Sequence, residues 1–186
     1  VMPKQWSKAV VVAIFKKGDR LDPSNYRPIS LLDTCYKLYA RIIQKRIEDA
    51  IDGFLRKTQY GFRKGRSTIS ALFILRRLLE WSQNHKDSVF YMLFLDWRMA
   101  FDKVGHSALL ETLRRMQFPP SYIRVIEAIY KNPRFYVQDN TRRSTTREQN
   151  SGVRQGCPLS PYLFLLVLHV IFYDTEQRLQ TVSYTH

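Results

Sequence analysis

The pattern of hydrophobic and polar residues predicts a strand hairpin followed by a long helix at the start of the chain. Ala9 to Phe15 is a short β-branched run and predicts a strand, and Tyr26 to Leu32 predicts its partner across a turn rich in Gly, Asp, Pro and Asn. Asp33 is a suitable N-cap for a helix that runs to about Ile51. Apolar residues at helical spacing predict the buried stripe of this helix: Leu38, Ile42, Ile43 and Ile47.

The rest of the chain alternates between helical and strand patterns. A second helix is predicted from an N-cap at Ser67 or Thr68 to about Trp81. Val89 to Leu95 is an almost unbroken apolar run, which predicts a strand buried on both faces. In the second helix, helical spacing predicts that the buried residues are Leu72, Leu75 and Leu79. Further predicted elements are helices at 107–116 and 121–130, strands at 134–137 and about 147–150, and a helix from 162 to about 179. This mixture predicts an α+β fold.

The most apolar stretch, Tyr162 to Tyr173, is too short to span a bilayer and contains His169. It therefore predicts a buried core helix and no membrane partner. Cys35 and Cys157 are far apart, have no metal-ligand spacing and predict no disulfide framework. With no signal-peptide layout at the start, the expectation is an intracellular protein, in the nucleus or the cytoplasm.

The charge balance adds a candidate partner. Lys and Arg number 30 against 16 Asp and Glu, which gives a formal net charge of +14. Such a surface suits a phosphate backbone, because each neutralised phosphate releases condensed counterions. Charge alone leaves a plain basic protein equally open.

One carboxylate stands out. Asp96 follows the predicted buried strand, where it could ligate a hard cation such as Mg²⁺ together with substrate phosphates. An isolated Asp at a strand end is more often a helix cap or a turn former.

Four segments, in this order, resemble sequence motifs of reverse transcriptases of the non-LTR retrotransposon (LINE-like) and group II intron branch. The first is 25–32 (NYRPISLL), preceded by the matching 16–19 (KKGD), and the second is 59–68 (QYGFRKGRST). The third, 94–104 (FLDWRMAFDKV), is similar to motif A, and the fourth, 151–161 (SGVRQGCPLSP), to motif B. Four matches in order cover nearly the whole chain, which makes a chance resemblance very improbable.

The resemblance implies a right-hand polymerase fold with a fingers lobe, an incomplete palm and no thumb. It implies fingers at 1–88, the first part of the palm at 89–119, a helix and hairpin at 120–150, and the remaining palm at 151–186. The motif C carboxylates are expected to be missing, so that this chain alone would be inactive.

The implied activity is that of an RNA-directed DNA polymerase of a retroelement, which adds deoxynucleotides to a primer 3′-hydroxyl by two-metal phosphoryl transfer. Its partners would be an RNA template, a DNA or RNA primer and dNTPs, and its cofactor two Mg²⁺ ions, with Mn²⁺ an alternative. Asp96 and the backbone carbonyl of Trp97 would bind metal, Phe101 would exclude the 2′-hydroxyl, and Gln155 would contact the nucleotide.

Further roles follow from the same resemblance. The implied substrate-binding residues are Lys16, Lys17, Arg27, Ala100 and Gly156. The implied nucleic-acid-binding residues are Arg63, Lys64 and Arg66, for which a plain basic surface is nearly as well supported. Asp102 is predicted to be structural. Two alternatives stay open: a truncated or decayed copy that only binds nucleic acid, and a relative of RNA-dependent RNA polymerases.

Overall fold

The described residues of the computed structural model, 2–85 and 89–183 with side chains up to 180, form a five-stranded sheet and five α-helices. The strands are β1 (Lys8–Phe15), β2 (Tyr26–Leu31), β3 (Arg134–Asp139), β4 (Arg142–Arg143) and β5 (Arg147–Glu148). The helices are α1 (Thr34–Ile51), α2 (Thr68–Asn84), α3 (His106–Arg115), α4 (Pro120–Tyr130) and α5 (Ser160–Ser183). The predicted mixture of helices and strands is confirmed.

The sheet joins the start of the chain to a segment more than 100 residues later. β1 pairs antiparallel with β2, with Val10 opposite Leu31, and this confirms the predicted hairpin. The other edge of β1 pairs parallel with β3, where Lys8 lies opposite Arg134. β4 and β5 both pair antiparallel with β3, as predicted for the region around residues 134 and 147.

The N-cap of α1 is the predicted one, but the buried face of the helix differs from the predicted stripe. The Asp33 carboxylate accepts a hydrogen bond from the Tyr36 backbone N–H at 3.0 Å. Of the predicted stripe, Leu38 and Ile42 are exposed. The face that meets the core carries Tyr36, Ala40, Ile43, Gln44, Ile47 and Ile51. Tyr36 anchors this face because its ring packs edge-on against Trp6, with centroids 6.0 Å apart.

Helix α2 begins at the predicted cap, where Ser67 Oγ accepts from Ser70 N–H. The expected burial of its leucines is wrong. Every residue of α2 that the structure describes is exposed or partly exposed, and Leu72 and Leu79 are exposed. The apolar face of α2 lies outside the core formed by the described residues.

The predicted buried strand at 89–95 is also wrong. This segment is irregular and open to solvent, with Leu93 81% and Phe94 77% exposed. A strand needs a neighbour for its backbone N–H and C=O groups. The described strands pair among themselves in the order β2-β1-β3-β4, with β5 on β3, and leave this segment unpaired.

The core lies where α1, α3, α4 and the first half of α5 meet. Leu109, Leu113, Ile126, Leu163 and Leu166 are fully buried there. The prediction of a buried helix from Tyr162 to Tyr173 is therefore confirmed for its first half only, since Ile171, Phe172 and Tyr173 are exposed. Among the described residues, no helix is both long enough and apolar enough to cross a membrane. Both cysteines are free, with Cys35 exposed and Cys157 buried.

Candidate functional site

A cleft of about 1360 Å³ opens between the β1–β2 hairpin, the segment 96–102 and the loop 151–161. It brings together three stretches of chain that are far apart in sequence. Eight of the predicted site residues line it: Lys16, Arg27, Asp96, Trp97, Ala100, Phe101, Gln155 and Gly156.

The turn between β1 and β2 carries basic side chains to the cleft. Lys16 N–H donates to the Asn25 carbonyl at 2.8 Å, and the Asp22 carboxylate accepts from Ser24 N–H at 2.8 Å. These bonds close the turn and fix its shape. Arg20 also lines the cleft, although the sequence reasoning did not select it. Lys17 lies at the same tip but is not among the residues that line the cleft.

The segment after Asp96 turns sharply. Met99 has a positive φ of 56°, and its carbonyl accepts from the backbone N–H groups of Asp102 and Lys103 at 3.0 and 3.1 Å. Asp96, just before this turn, is exposed and lines the cleft. It follows irregular backbone and not the end of a strand, so the expected rigid support from a sheet is absent among the described residues.

Backbone hydrogen bonds join the segment 96–104 to the loop 151–161. Val153 N–H donates to the Phe101 carbonyl at 2.8 Å, and Gly152 N–H donates to the Val104 carbonyl at 2.7 Å. Gly152 has φ +85°, and a Cβ there would lie 2.8 Å from the Cα of Asp102. Only a glycine allows this approach. The two motif-like segments are therefore one structural unit.

The side chains of Gln155 and Asp102 are hydrogen-bonded to each other within this unit. Gln155 Nε2 donates to both carboxylate oxygens of Asp102, at 2.8 and 3.0 Å. Asp102 itself lines the cleft. From the sequence Asp102 is predicted to be structural, and its spacing gives no signal of a contact with Gln155, 53 residues away.

Phe101 is half-buried between two other phenylalanines. Its ring stacks on Phe164 with centroids 4.8 Å apart and meets Phe62 edge-on at 6.0 Å. Phe62 belongs to the loop 59–66 and has a positive φ of 59°. The ring is thus held from two sides at the wall of the cleft.

Arg154 forms part of the floor and was also missed by sequence reasoning. It is 1% exposed, and its guanidinium donates to the carbonyls of Trp6 and Ser7, both at 2.9 Å, while lying 5.5 Å from the Tyr36 ring centroid. The Tyr36 hydroxyl lies 3.3 Å from Cys157 Sγ, and burial raises the pKa of Tyr36. An Arg in a glycine-rich loop gives no sequence signal of burial.

The three basic residues of the loop 59–66 differ in burial and in their hydrogen bonds. Arg63 is 8% exposed, and its guanidinium donates to the Asp52 carboxylate at 2.8 Å and to the carbonyls of Arg56 and Asp52. This contact lowers the pKa of Asp52. These three bonds give Arg63 a structural role in the loop, and its predicted contact with nucleic acid stays a prediction. Lys64 is exposed, and Arg66 is partly exposed beside the Tyr60 ring.

The described residues do not complete a divalent-metal site. Within 2–85 and 89–183, no group of three or more His, Cys, Asp and Glu side chains could hold a metal ion. The cleft carboxylates are Asp96 and Asp102, and Asp102 is hydrogen-bonded to Gln155. One or two carboxylates would need further oxygen ligands, such as substrate phosphates, to hold Mg²⁺. The magnesium site stays a prediction.

The cleft nonetheless suits an anion. Its basic lining residues outnumber its acidic ones, Asp96 and Asp102. The basic residues that line it are Lys16, Arg20, Arg27, Arg98 and Arg154. Cationic walls on a concave surface concentrate negatively charged ligands.

Comparison with known proteins gives the relationship. The family described as reverse transcriptase (RNA-dependent DNA polymerase) matches residues 14–185. The chain is 34% identical to a probable RNA-directed DNA polymerase from transposon BS of Drosophila melanogaster, over 87% of this chain and 18% of that protein. It is 32% identical to the transposon TX1 uncharacterized 149 kDa protein of Xenopus laevis, over 96% of this chain and 14% of that protein.

A third relative is the RNA-directed DNA polymerase from mobile element jockey of Drosophila melanogaster, 33% identical over 87% of this chain and 18% of that protein. The chain therefore spans less than a fifth of the length of these three relatives. The family match covers nearly all of the chain, including every residue that lines the cleft except those before residue 14. The chain belongs to the reverse transcriptase (RNA-dependent DNA polymerase) family.

Proposed function

We propose that this chain forms the nucleotide-binding part of an RNA-directed DNA polymerase of a non-LTR retroelement. The observation that carries the proposal is the cleft itself, which gathers Arg27, Asp96, Phe101 and Gln155 from three separate stretches of chain. The relatives named as RNA-directed DNA polymerases support the same reaction. The partners would be an RNA template, a DNA or RNA primer, and dNTPs.

The fingers and palm assignment is part of this proposal, with one change in boundaries. The sheet unites β1 and β2 with β3, which supports grouping the hairpin region of the 120–150 segment with the proposed fingers at 1–88. The palm would then consist of the segment from 89 through α3, and the loop 151–161 with α5. The cleft lies where these two sets of elements meet.

Different residues of the cleft would serve different parts of a nucleotide. Lys16 and Arg27 would hold the triphosphate, since a guanidinium binds phosphate oxygens in a bidentate manner. Phe101, Ala100 and Gly156 would lie against the sugar and base, with the Phe101 ring leaving no room for a 2′-hydroxyl. Lys64 and Arg66 on the loop 59–66 would contact the template or primer backbone.

The test is primer extension by a complete protein that carries this chain, comparing wild type with Asp96→Asn. The substitution keeps the size of the side chain and removes its charge. We expect extension to be lost while primer–template affinity is retained, because a carboxylate that would hold the catalytic metal ions affects turnover more than binding.

Asp139→Asn, in an exposed position at the end of β3, is the matched control and should extend primers normally. Full extension by Asp96→Asn would contradict the role of Asp96. A wild-type protein that binds primer–template and extends nothing would instead support the decayed, binding-only alternative.

A further inference from the structure

We infer that Asp102 is a positioning residue that sets the orientation of the Gln155 amide and so makes Gln155 a hydrogen-bond acceptor toward the nucleotide. The inference rests on the proposed function of the cleft. Asp102, predicted from the sequence to be structural, would then act on the nucleotide through Gln155.

The orientation follows from hydrogen-bond chemistry. An ionised carboxylate can accept hydrogen bonds and has none to donate. Both oxygens of Asp102 lie within 3.0 Å of the Gln155 side chain, so the amide must turn its nitrogen toward Asp102. The planar amide then directs Oε1 away from Asp102. Among the described residues, no donor is hydrogen-bonded to that oxygen.

Asp102 can impose this orientation because its own backbone is fixed on both sides. Its N–H donates to the Met99 carbonyl at 3.0 Å, and its carbonyl accepts from Ser151 Oγ at 3.1 Å. Gly152 packs directly on its Cα. The carboxylate is therefore held by both the segment 96–104 and the loop 151–161, and it connects the two through a side-chain contact.

The consequence concerns what Gln155 can recognise. A phosphate oxygen is an acceptor and would meet another acceptor at Oε1, whereas sugar hydroxyls and base N–H groups can donate to it. Gln155 would then contact the nucleoside part of a dNTP, while Lys16 and Arg27 meet the phosphates. The pair Asp102–Gln155 thus fixes which end of the nucleotide lies against the loop 151–161.

The first test observes the Gln155 side-chain amide by NMR in this 186-residue chain, assigned with Gln155→Ala. We expect shifted, slowly exchanging amide protons in the wild type and a return to the free-glutamine position in Asp102→Ala. Asp102→Asn, which keeps the size of the side chain and offers a single acceptor oxygen, should move the signals part of the way. The Gln44 amide, which donates to the Glu48 carboxylate at 2.7 Å within α1, is the internal control and should not move.

Unchanged Gln155 signals in a folded Asp102→Ala or Asp102→Asn variant would overturn the inference. This outcome is independent of polymerase activity, so it is distinct from a failure of the proposed function.

The second test is a double-mutant cycle in primer extension by the complete protein. Asp102→Ala should raise the KM for dNTPs about tenfold with a much smaller change in kcat, the size of one hydrogen bond to a charged group. In a Gln155→Ala background the same substitution should add almost nothing, because its effect passes through Gln155. If the effects of the two substitutions on KM were independent and multiplied, Asp102 would have a merely structural role, and the inference would be overturned. A wild-type protein without extension activity would overturn the proposed function, and the NMR test would then still decide whether Asp102 orients the Gln155 amide.

Discussion

Gly156 lies directly against Ser30, so that a Cβ on Gly156 would be 2.5 Å from the Ser30 backbone carbonyl oxygen. At the same place Ser30 N–H donates to the Gln155 carbonyl at 2.6 Å. β2 and the loop 151–161 are thus joined by a backbone contact with no space for a side chain. This contact sets the distance between Arg27, three residues before Ser30, and Gln155.

Replacing Gly156 with alanine should therefore separate the two walls of the cleft. The residue has φ +120°, and the Cβ would meet backbone and not a flexible side chain. We expect Gly156→Ala to lower the free energy of unfolding by roughly 1–3 kcal/mol. We also expect it to weaken dNTP binding at least tenfold. Thermal denaturation and dNTP titration measure the two effects.

Gly53→Ala is the matched control, because a Cβ at Gly53 would meet nothing within 4 Å. It should leave both measurements close to wild type. Equal behaviour of the two variants would contradict the assigned role of the Gly156–Ser30 contact.

Arg154 should be a major contributor to stability. Its buried guanidinium satisfies the carbonyls of Trp6 and Ser7, which would otherwise lose their partners. Arg154→Met fills a similar volume without donors, so we expect the free energy of unfolding to fall by about 3 kcal/mol. Denaturant unfolding measures it, and Arg142→Met on the exposed strand β4 should change it by less than about 0.5 kcal/mol. An Arg154→Met variant as stable as the wild type would refute this account.

Substitutions of the neighbours Arg63 and Lys64 should have different effects, one on stability and the other on nucleic-acid binding. Arg63→Ala breaks three hydrogen bonds to Asp52 and Arg56 and should lower the melting temperature. Lys64→Ala should leave the melting temperature unchanged and weaken primer–template binding for all sequences alike. The salt dependence of binding, plotted as log K against log salt, should lose about one unit of slope.

Arg66→Glu should weaken binding in the same sequence-independent way and more strongly, since it reverses a charge. If Arg63→Ala reduced the salt slope while Lys64→Ala did not, the two assignments would have to be exchanged. Filter-binding or anisotropy titrations at several salt concentrations decide between them.

Local signals were sufficient for part of this architecture. The β1–β2 hairpin and the caps at Asp33 and Ser67 depend on residues close in sequence, and all three are where the pattern predicts them. Burial depends on distant partners, which a periodic pattern does not contain. The leucines of α2 and the run at 89–95 are apolar enough for a core, yet the described elements do not cover them.

In the site, too, some residues could be predicted from the sequence and others could not. Resemblance to known motifs selected Asp96, Phe101 and Gln155, and the cleft contains all three. It did not reveal the burial of Arg154 or the contact between Asp102 and Gln155, because the partners lie 148 and 53 residues away. Arginine is seldom buried, so the burial of Arg63 and Arg154 also ran against the usual expectation.

The sharpest prediction concerns the sugar that the complete polymerase accepts. Phe101 stands at the cleft wall, stacked on Phe164 and touched edge-on by Phe62. Phe101→Val removes most of the ring and opens space where a 2′-hydroxyl would lie. We expect the variant to add dNTPs at a reduced rate and to incorporate rNTPs, with the ratio of kcat/KM for dNTP over rNTP falling at least tenfold.

Phe62→Val is the control, since it removes the edge-on neighbour and leaves the stacked pair Phe101–Phe164 in place. Its discrimination should stay much closer to wild type, because the Phe101 ring, which we propose excludes the hydroxyl, is still present. Single-nucleotide extension with matched dNTP and rNTP measures both variants on one primer–template. If Phe101→Val kept full discrimination, Phe101 would be a packing residue of the Phe62–Phe101–Phe164 cluster, and sugar selection would have to come from another residue at the cleft.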